Sequence, residues 1–147
     1  LGDVDKSKYQ ALPTVHSYWA YLVVLVLTLA TFNAIIKTLG KKYFGPQDFR
    51  ISLFTLIVSH MQLLIGFIIY FVSPYFSAFS EVGMKGVMNN SVLRLYLIEH
   101  PLTMIIAIVL ITVGYSKHKN KLVSNKKFRT IAIFYSLALL LILSRIP

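Results

Sequence analysis

Few residues of this 147-residue chain could bind a metal or a redox cofactor, and most of them lie in long apolar runs. His16, His60 and His100 are imidazole donors, and Glu99 directly precedes His100. The chain has no cysteine, which excludes disulfides, thiolate metal sites, iron–sulfur ligation and cysteine nucleophiles. Histidine is the commonest metal ligand, so the positions of these imidazoles decide which chemistry the chain can support.

Other polar residues give weaker signals. Asn33 and Gln62 lie within apolar runs, where polar side chains are costly and mark either function or helix pairing. His118 lies among lysines, and we expect it to be solvated. The histidines are accompanied by no nucleophile–base pair and no glycine-rich phosphate loop. We therefore expect no hydrolytic or transferase site, and any enzymatic role would be that of a redox component.

Four apolar segments must position these residues. The chain is 56% hydrophobic and 14% charged, whereas soluble domains carry about 25% charged residues. A bilayer core of about 30 Å needs roughly 20 apolar residues in a helix, and a backbone in lipid must satisfy its own hydrogen bonds. The sequence predicts an all-α integral membrane protein with an N-terminal tail (residues 1–12) and one domain (residues 13–147). Its predicted spans are about residues 18–36, 51–73, 95–116 and 129–146.

The connections and charges predict the topology. Short links between consecutive spans favour an up-down-up-down four-helix bundle. Ten Lys and Arg residues lie on one side of the spans and five on the other. By the positive-inside rule the ten-charge side is cytoplasmic and both termini are outside. The formal charge of +10 comes from basic residues that lie mostly on this cytoplasmic side. Because the topology explains their placement, we expect no nucleic acid as a partner. The expected partners are the lipid bilayer, other membrane proteins or a second copy of the chain.

Depth along the helices separates the three histidines. His16 lies near the outer border of the first span, and His100 lies roughly 8 Å into the third. His60 lies roughly 20 Å from the outer end of the second span. In an up-down bundle the first and third helices are diagonal partners, so His16 and His100 can meet across the core.

Two imidazoles that face each other across a bundle fit an axially ligated haem. We predict His16 and His100 as the axial, metal-ligating pair of a haem b, with Arg94 and Arg145 as partners of its propionates. The pair His60 and His100 is the alternative, and a second haem or a quinone near His60 also stays open.

The same residues permit other interpretations. His16, Glu99 and His100 could form a mononuclear zinc, iron or copper site. A protein without a cofactor could use its polar residues only to join helices. Apart from the metal-site alternative, Glu99 should face the bundle interior and be either neutral or paired with Arg94 or Arg145, because an isolated carboxylate in lipid costs roughly 2.5–3.5 kcal/mol on insertion scales. Pro101 predicts a kink beside it.

Several runs of the chain resemble a family of small four-helix membrane proteins of Bacteroidetes that is labelled "cytochrome b". They are His16-Ser17, Asn33-Ala34, Ser59–Pro74 (SHMQLLIGFIIYFVSP), Asn89–Lys117 (NNSVLRLYLIEHPLTMIIAIVLITVGYSK) and Ile131–Pro147 (IAIFYSLALLLILSRIP). The resemblance covers nearly all of residues 14–147 and is most specific in the second and third spans. It implies haem b, membrane electron transfer and a histidine pattern matched here by His16, His60 and His100. Unlike the family, this chain has no Trp after its final Ile-Pro, and residues 1–12 lengthen the segment before the first histidine.

The sequence therefore predicts a haem-b-binding electron-transfer protein of the bacterial inner membrane, within a respiratory or quinone-linked assembly. The alternative is a cofactor-free accessory subunit whose polar residues fix helix packing. A small channel or transporter is less supported, because four spans offer little pore without oligomerisation.

Overall fold

A computed structural model describes the backbone of residues 2–147 and the side chains of residues 11–147. The described part is all-helical and contains no strand. Four of its helices are long and apolar enough to cross a membrane, namely Ala11–Leu39, Pro46–Val72, Ser91–Lys119 and Ser124–Ser144. The prediction of an all-α chain with four long apolar helices is confirmed for this part. The predicted tail, residues 1–12, lies almost entirely outside the described side chains.

The helices follow one another with short connections. The long ones are α1 (Gly2–Leu39), α2 (Pro46–Val72), α6 (His100–Lys119) and α7 (Ser124–Ser144). A 3-10 turn (Pro74–Ser77) follows α2 and leads to the short helices α3 (Ala78–Glu81), α4 (Gly83–Asn89) and α5 (Ser91–Arg94). A π-helical turn (Leu95–Glu99) joins α5 to α6. We call Ser91–Lys119 the third span.

The spans predicted at residues 95–116 and 129–146 imply a connection of residues 117–128, but most of these residues are helical, so the predicted connection is too long. Helix α6 continues to Lys119 and α7 begins at Ser124. Lysine and arginine are good helix formers, and cations in the last turn of a helix interact favourably with its dipole. The helices therefore extend beyond their apolar stretches, and only residues 120–123 connect them.

Each long helix packs against two others. Helix α1 contacts α2 and α7, α6 also contacts α2 and α7, and α1 and α6 share no extended contact. Hydrogen bonds join α1 to α2 at Trp19 with Val58 and at Asn33 with Asp48. Rising numbers on one helix meet falling numbers on the other, so α1 and α2 are antiparallel. The same order holds between α2 and the third span and between α6 and α7.

The interior combines a main apolar cluster with a polar face of α2. The cluster is formed chiefly by α1, α6 and α7, with Leu27, Ile111 and Tyr135 at most 1% exposed. Helix α2 instead buries Asp48, Ser52, Thr55, Val58 and Ser59. The three hydroxyls donate to carbonyl oxygens one turn earlier. Small residues of this kind let helices approach closely in membranes.

Gly114 sets the distance between α6 and α7. A Cβ added to it would lie 2.4 Å from the Phe134 Cβ, closer than real Cβ atoms approach. We expect Gly114→Ala to force the helices apart and lower the free energy of unfolding by about 1–3 kcal/mol, measured by denaturation in detergent micelles. Ser116→Ala, on the exposed face of α6, is the control. Equal losses in both variants would show that the close approach is unimportant.

Candidate functional site at the paired histidines

Pro101 determines the backbone geometry around His100. Because proline has no N–H, the Leu97 carbonyl four residues earlier loses its helical partner. The Tyr70 hydroxyl of α2 donates to that carbonyl at 3.0 Å. The His100 N–H donates to the Leu95 carbonyl oxygen, which is the five-residue spacing of a π turn. Such turns are frequent at functional sites. The predicted disturbance at Pro101 thus takes the form of a π turn that ends at Glu99.

The structure brings His16 and His100 together, although α1 and α6 share no extended contact. Their ring centroids are 6.3 Å apart, and the ring planes are inclined at 82°. Both residues are half-buried. When two imidazoles ligate one metal atom, the donor nitrogens are about 4 Å apart, and each ring centre lies beyond its nitrogen. The observed separation therefore suits a single metal atom between the rings.

The Nδ1 atoms of both rings lie beside groups that could orient them. His100 Nδ1 is 2.8 Å from the Arg145 carbonyl oxygen. His16 Nδ1 and Gln62 Oε1 are both buried without a hydrogen-bond partner in the described structure, and Gln62 Nε2 donates to the His16 carbonyl oxygen. Metal-ligating histidines usually donate their other N–H to such acceptors, which leaves Nε2 free as the ligand.

Glu99 is paired, as predicted, and it uses both arginines. Its Oε1 lies 3.4 Å from Arg94 Nε, and its Oε2 lies 4.0 Å from Arg145 Nε. The Glu99 side chain is 28% exposed. The two arginines predicted to meet haem propionates thus lie at the His100 end of the third span and neutralise Glu99. Arg145 also supplies the carbonyl that contacts His100.

The three-ligand metal site predicted as an alternative from His16, Glu99 and His100 is not formed. The described residues contain no group of three or more His, Cys, Asp or Glu arranged to hold a metal ion. The reason is that both carboxylate oxygens of Glu99 face arginine side chains. The chemistry that the geometry permits is therefore that of a two-histidine pair.

His60 lies apart from this pair. Its Nδ1 is 2.8 Å from the Leu56 carbonyl oxygen, and its Nε2 is 3.3 Å from Thr112 Oγ1. Thr112 is twelve residues beyond His100, or about 18 Å along a helix. The structure therefore does not bring together the alternative pair of His60 and His100, and His60 links α2 to α6.

His118 is fully buried, so the prediction that it is solvated is wrong. Its ring centroid lies 5.0 Å from that of Tyr115, 5.4 Å from that of Phe44 and 6.1 Å from that of Phe49. The cause is the extension of α6 to Lys119, which places His118 on the same inward helix face as Tyr115. Neither ring nitrogen reaches hydrogen-bond geometry with a group of the described structure.

Asp48 is a buried polar centre that the sequence analysis missed. It is 4% exposed, and its Oδ1 accepts from Lys37 Nζ at 2.6 Å and from Asn33 Nδ2 at 2.9 Å. Its Oδ2 accepts from the Gly45 N–H at 2.9 Å, which satisfies a free donor at the start of α2. Two signals could have identified it: it is the only acidic residue in positions 6–80, and it follows Gly45 by three residues.

The bond from Tyr70 to Leu97 can be tested by a double-mutant cycle. Tyr70→Phe should cost about 1 kcal/mol of unfolding free energy, because the Leu97 carbonyl then has no donor. In a Pro101→Ala background a backbone N–H replaces the missing one, so the same change should cost much less. Unfolding in detergent measures both, and Tyr75→Phe, on a ring stacked against Tyr96, is the control. An unchanged cost in the Pro101→Ala background would refute this explanation.

Comparisons with models of protein families, with curated proteins and with solved structures find no match to this chain. Only the sequence runs quoted above therefore support the resemblance to the family labelled "cytochrome b".

Proposed function

We propose that this protein binds haem b between His16 and His100 and transfers electrons in a bacterial inner membrane. The observation that carries the proposal is the approach of the two imidazoles, whose ring centroids are 6.3 Å apart. The donor set also fits, because two neutral imidazoles are a common axial pair. When bound, haem b supplies an iron centre that gains or loses one electron.

The remaining residues of the site would hold and orient the two ligands. The Arg145 carbonyl positions His100, and Gln62 lies beside the unpartnered Nδ1 of His16. A Cβ at Gly66 would lie 3.4 Å from His16 Cε1, so a side chain larger than alanine would displace that ring. Arg94 and Arg145 keep two guanidinium groups at the same end of the third span, within reach of acidic groups at the site.

The proposal includes the orientation of the chain in the membrane. Neighbouring helices are antiparallel in pairs, which supports an up-down-up-down bundle, and the division of ten basic residues against five supports termini on the outer side. Partners would be other proteins of a respiratory or quinone-linked assembly, or a second copy, reached through exposed apolar side chains such as Leu64, Phe71 and Leu140.

An optical spectrum tests the haem assignment. The purified protein, reconstituted with haem in detergent, should show a low-spin haem band that is lost in His16→Ala and in His100→Ala. His60→Ala is the matched control and should keep the band, since His60 contacts Thr112 instead. Circular dichroism verifies that each variant stays helical. Loss of the band in His60→Ala but not in His16→Ala would show that the ligand pair is wrong, and no band in the unmodified protein would refute haem binding.

Reporter fusions test the orientation. A phosphatase that is active only outside the cytoplasm, fused after Pro147, should be active. The same enzyme inserted between Gly40 and Gly45 should be inactive, because that connection carries basic residues of the cytoplasmic side. The reverse pattern would overturn the proposed orientation without affecting the haem assignment.

A second function, that of a cofactor-free accessory subunit, is favoured by a different observation. Several polar side chains join helices through backbone carbonyls: Trp19 donates to Val58, Gln62 to His16 and Tyr135 to Ser52. Bonds of this type stabilise helix packing in membranes without any ligand. In this function His16 and His100 are packing residues, which is the result that an absent haem band would favour.

A further inference from the structure

The end of the molecule opposite Glu99 carries almost all of the net charge. Ten basic residues belong to the α1–α2 and α6–α7 ends, namely Lys37, Lys41, Lys42, Arg50, Lys117, Lys119, Lys121, Lys126, Lys127 and Arg129. Asp48 is the only acidic residue of the described structure at this end, and it pairs with Lys37. The other lysines and arginines of this basic end therefore lack an acidic partner within the described part of the chain.

A cavity opens between the two connections of the basic end. Its volume is about 290 Å³, and it is lined by Lys41, Lys42 and Tyr43 on one side and by Val123, Ser124 and Asn125 on the other. The Phe44 N–H donates to Ser124 Oγ at 2.9 Å and ties the connections together. Two cationic side chains thus share one recess with a hydroxyl and an amide.

The backbone at the end of α1 holds both lysines in place. The Lys41 N–H donates to the Thr38 carbonyl oxygen, and the Lys42 N–H donates to that of Lys37. Lys41 has a φ of 51°, which is the left-handed conformation that ends many helices. The two residues therefore line the cavity from an ordered helix terminus.

We propose that this cavity binds the phosphate group of an anionic phospholipid, with Lys41 and Lys42 as its cations. Ser124 and Asn125 supply neutral donors at the first residues of α7, where a helix favours anions. This inference is independent of haem binding.

The apolar residues beside the cavity favour a lipid over free phosphate. Tyr43 is 92% exposed and Leu122 is 96% exposed, which is costly in water. Both lie just beyond the apolar helices, at the level where tyrosine rings contact lipid headgroups. In our proposal these two side chains cover the glycerol and upper acyl region, while the lysines bind the phosphate.

Lipid titration of the purified full chain in neutral detergent tests the proposal. Phosphatidylglycerol binding, quantified by native mass spectrometry, should weaken about thirtyfold in the double variant K41Q/K42Q. This factor follows because each lysine near anionic lipid contributes about 1 kcal/mol to the binding free energy. The control K121Q/K126Q removes the same charge from exposed residues of the same end, outside the cavity lining, and should weaken binding far less. The single variant Lys42→Gln should bind phosphatidylglycerol about fivefold more weakly. It is used in place of K41Q/K42Q if the double variant does not fold.

Three results would overturn the proposal. Equal weakening in K41Q/K42Q and K121Q/K126Q would mean that only the overall charge matters. Equally tight binding of phosphatidylcholine would mean that the anionic headgroup is not recognised. Inorganic phosphate that raises the thermal stability of the protein as much as phosphatidylglycerol does, with the same loss in K41Q/K42Q, would identify free phosphate as the ligand instead of a lipid.

Discussion

The hydrocarbon core of a bilayer contains no water, so each polar group of a spanning segment must find its partner inside the protein. This constraint acts on Leu97, because Pro101 has no N–H and leaves the Leu97 carbonyl without a backbone donor. Tyr70 supplies that donor from α2, and the helix forms a π turn directly before His100. The position of His100 opposite His16 thus depends on how the chain compensates for one missing N–H.

Arg145 both compensates the charge of Glu99 and contacts the ring of His100. Its guanidinium faces Glu99, which is also bound by Arg94, and its carbonyl oxygen contacts His100 Nδ1. A residue just beyond α7 therefore connects the only acid of the third span to the imidazole beside it. This arrangement places the end of α7 within the site itself, in addition to its packing role.

At the basic end, a buried carboxylate and several lysines also find partners inside the protein, but the partners are of other kinds. Asp48 is buried, but it accepts hydrogen bonds from two side chains and one backbone amide. Lysines place their ammonium groups over aromatic rings, with Lys127 Nζ 5.4 Å from the Phe44 centroid and Lys119 Nζ 5.4 Å from that of Tyr115. Long side chains of this kind cover apolar surface while their charge stays near water. One end of the molecule thus holds the paired histidines, and the other carries a dense, largely uncompensated positive charge.

Length and hydropathy are local properties, so the sequence by itself determined the four apolar helices and the depths that place His16 near His100. It also determined that Glu99 must be either neutral or paired, because an unpaired carboxylate is costly in lipid, and the structure shows the pairing with Arg94 and Arg145. The direction that a side chain faces depends on helix rotation and on the exact helix end, and these are set by packing between helices. Only the tertiary structure therefore decided that α6 extends far enough to bury His118. It also decided that Asp48 accepts hydrogen bonds from Asn33 and Lys37, and that Thr112 contacts His60. Each residue turns a helix by about 100°, so one inserted residue, such as that of a π turn, moves the side chains that follow it between lipid, core and water.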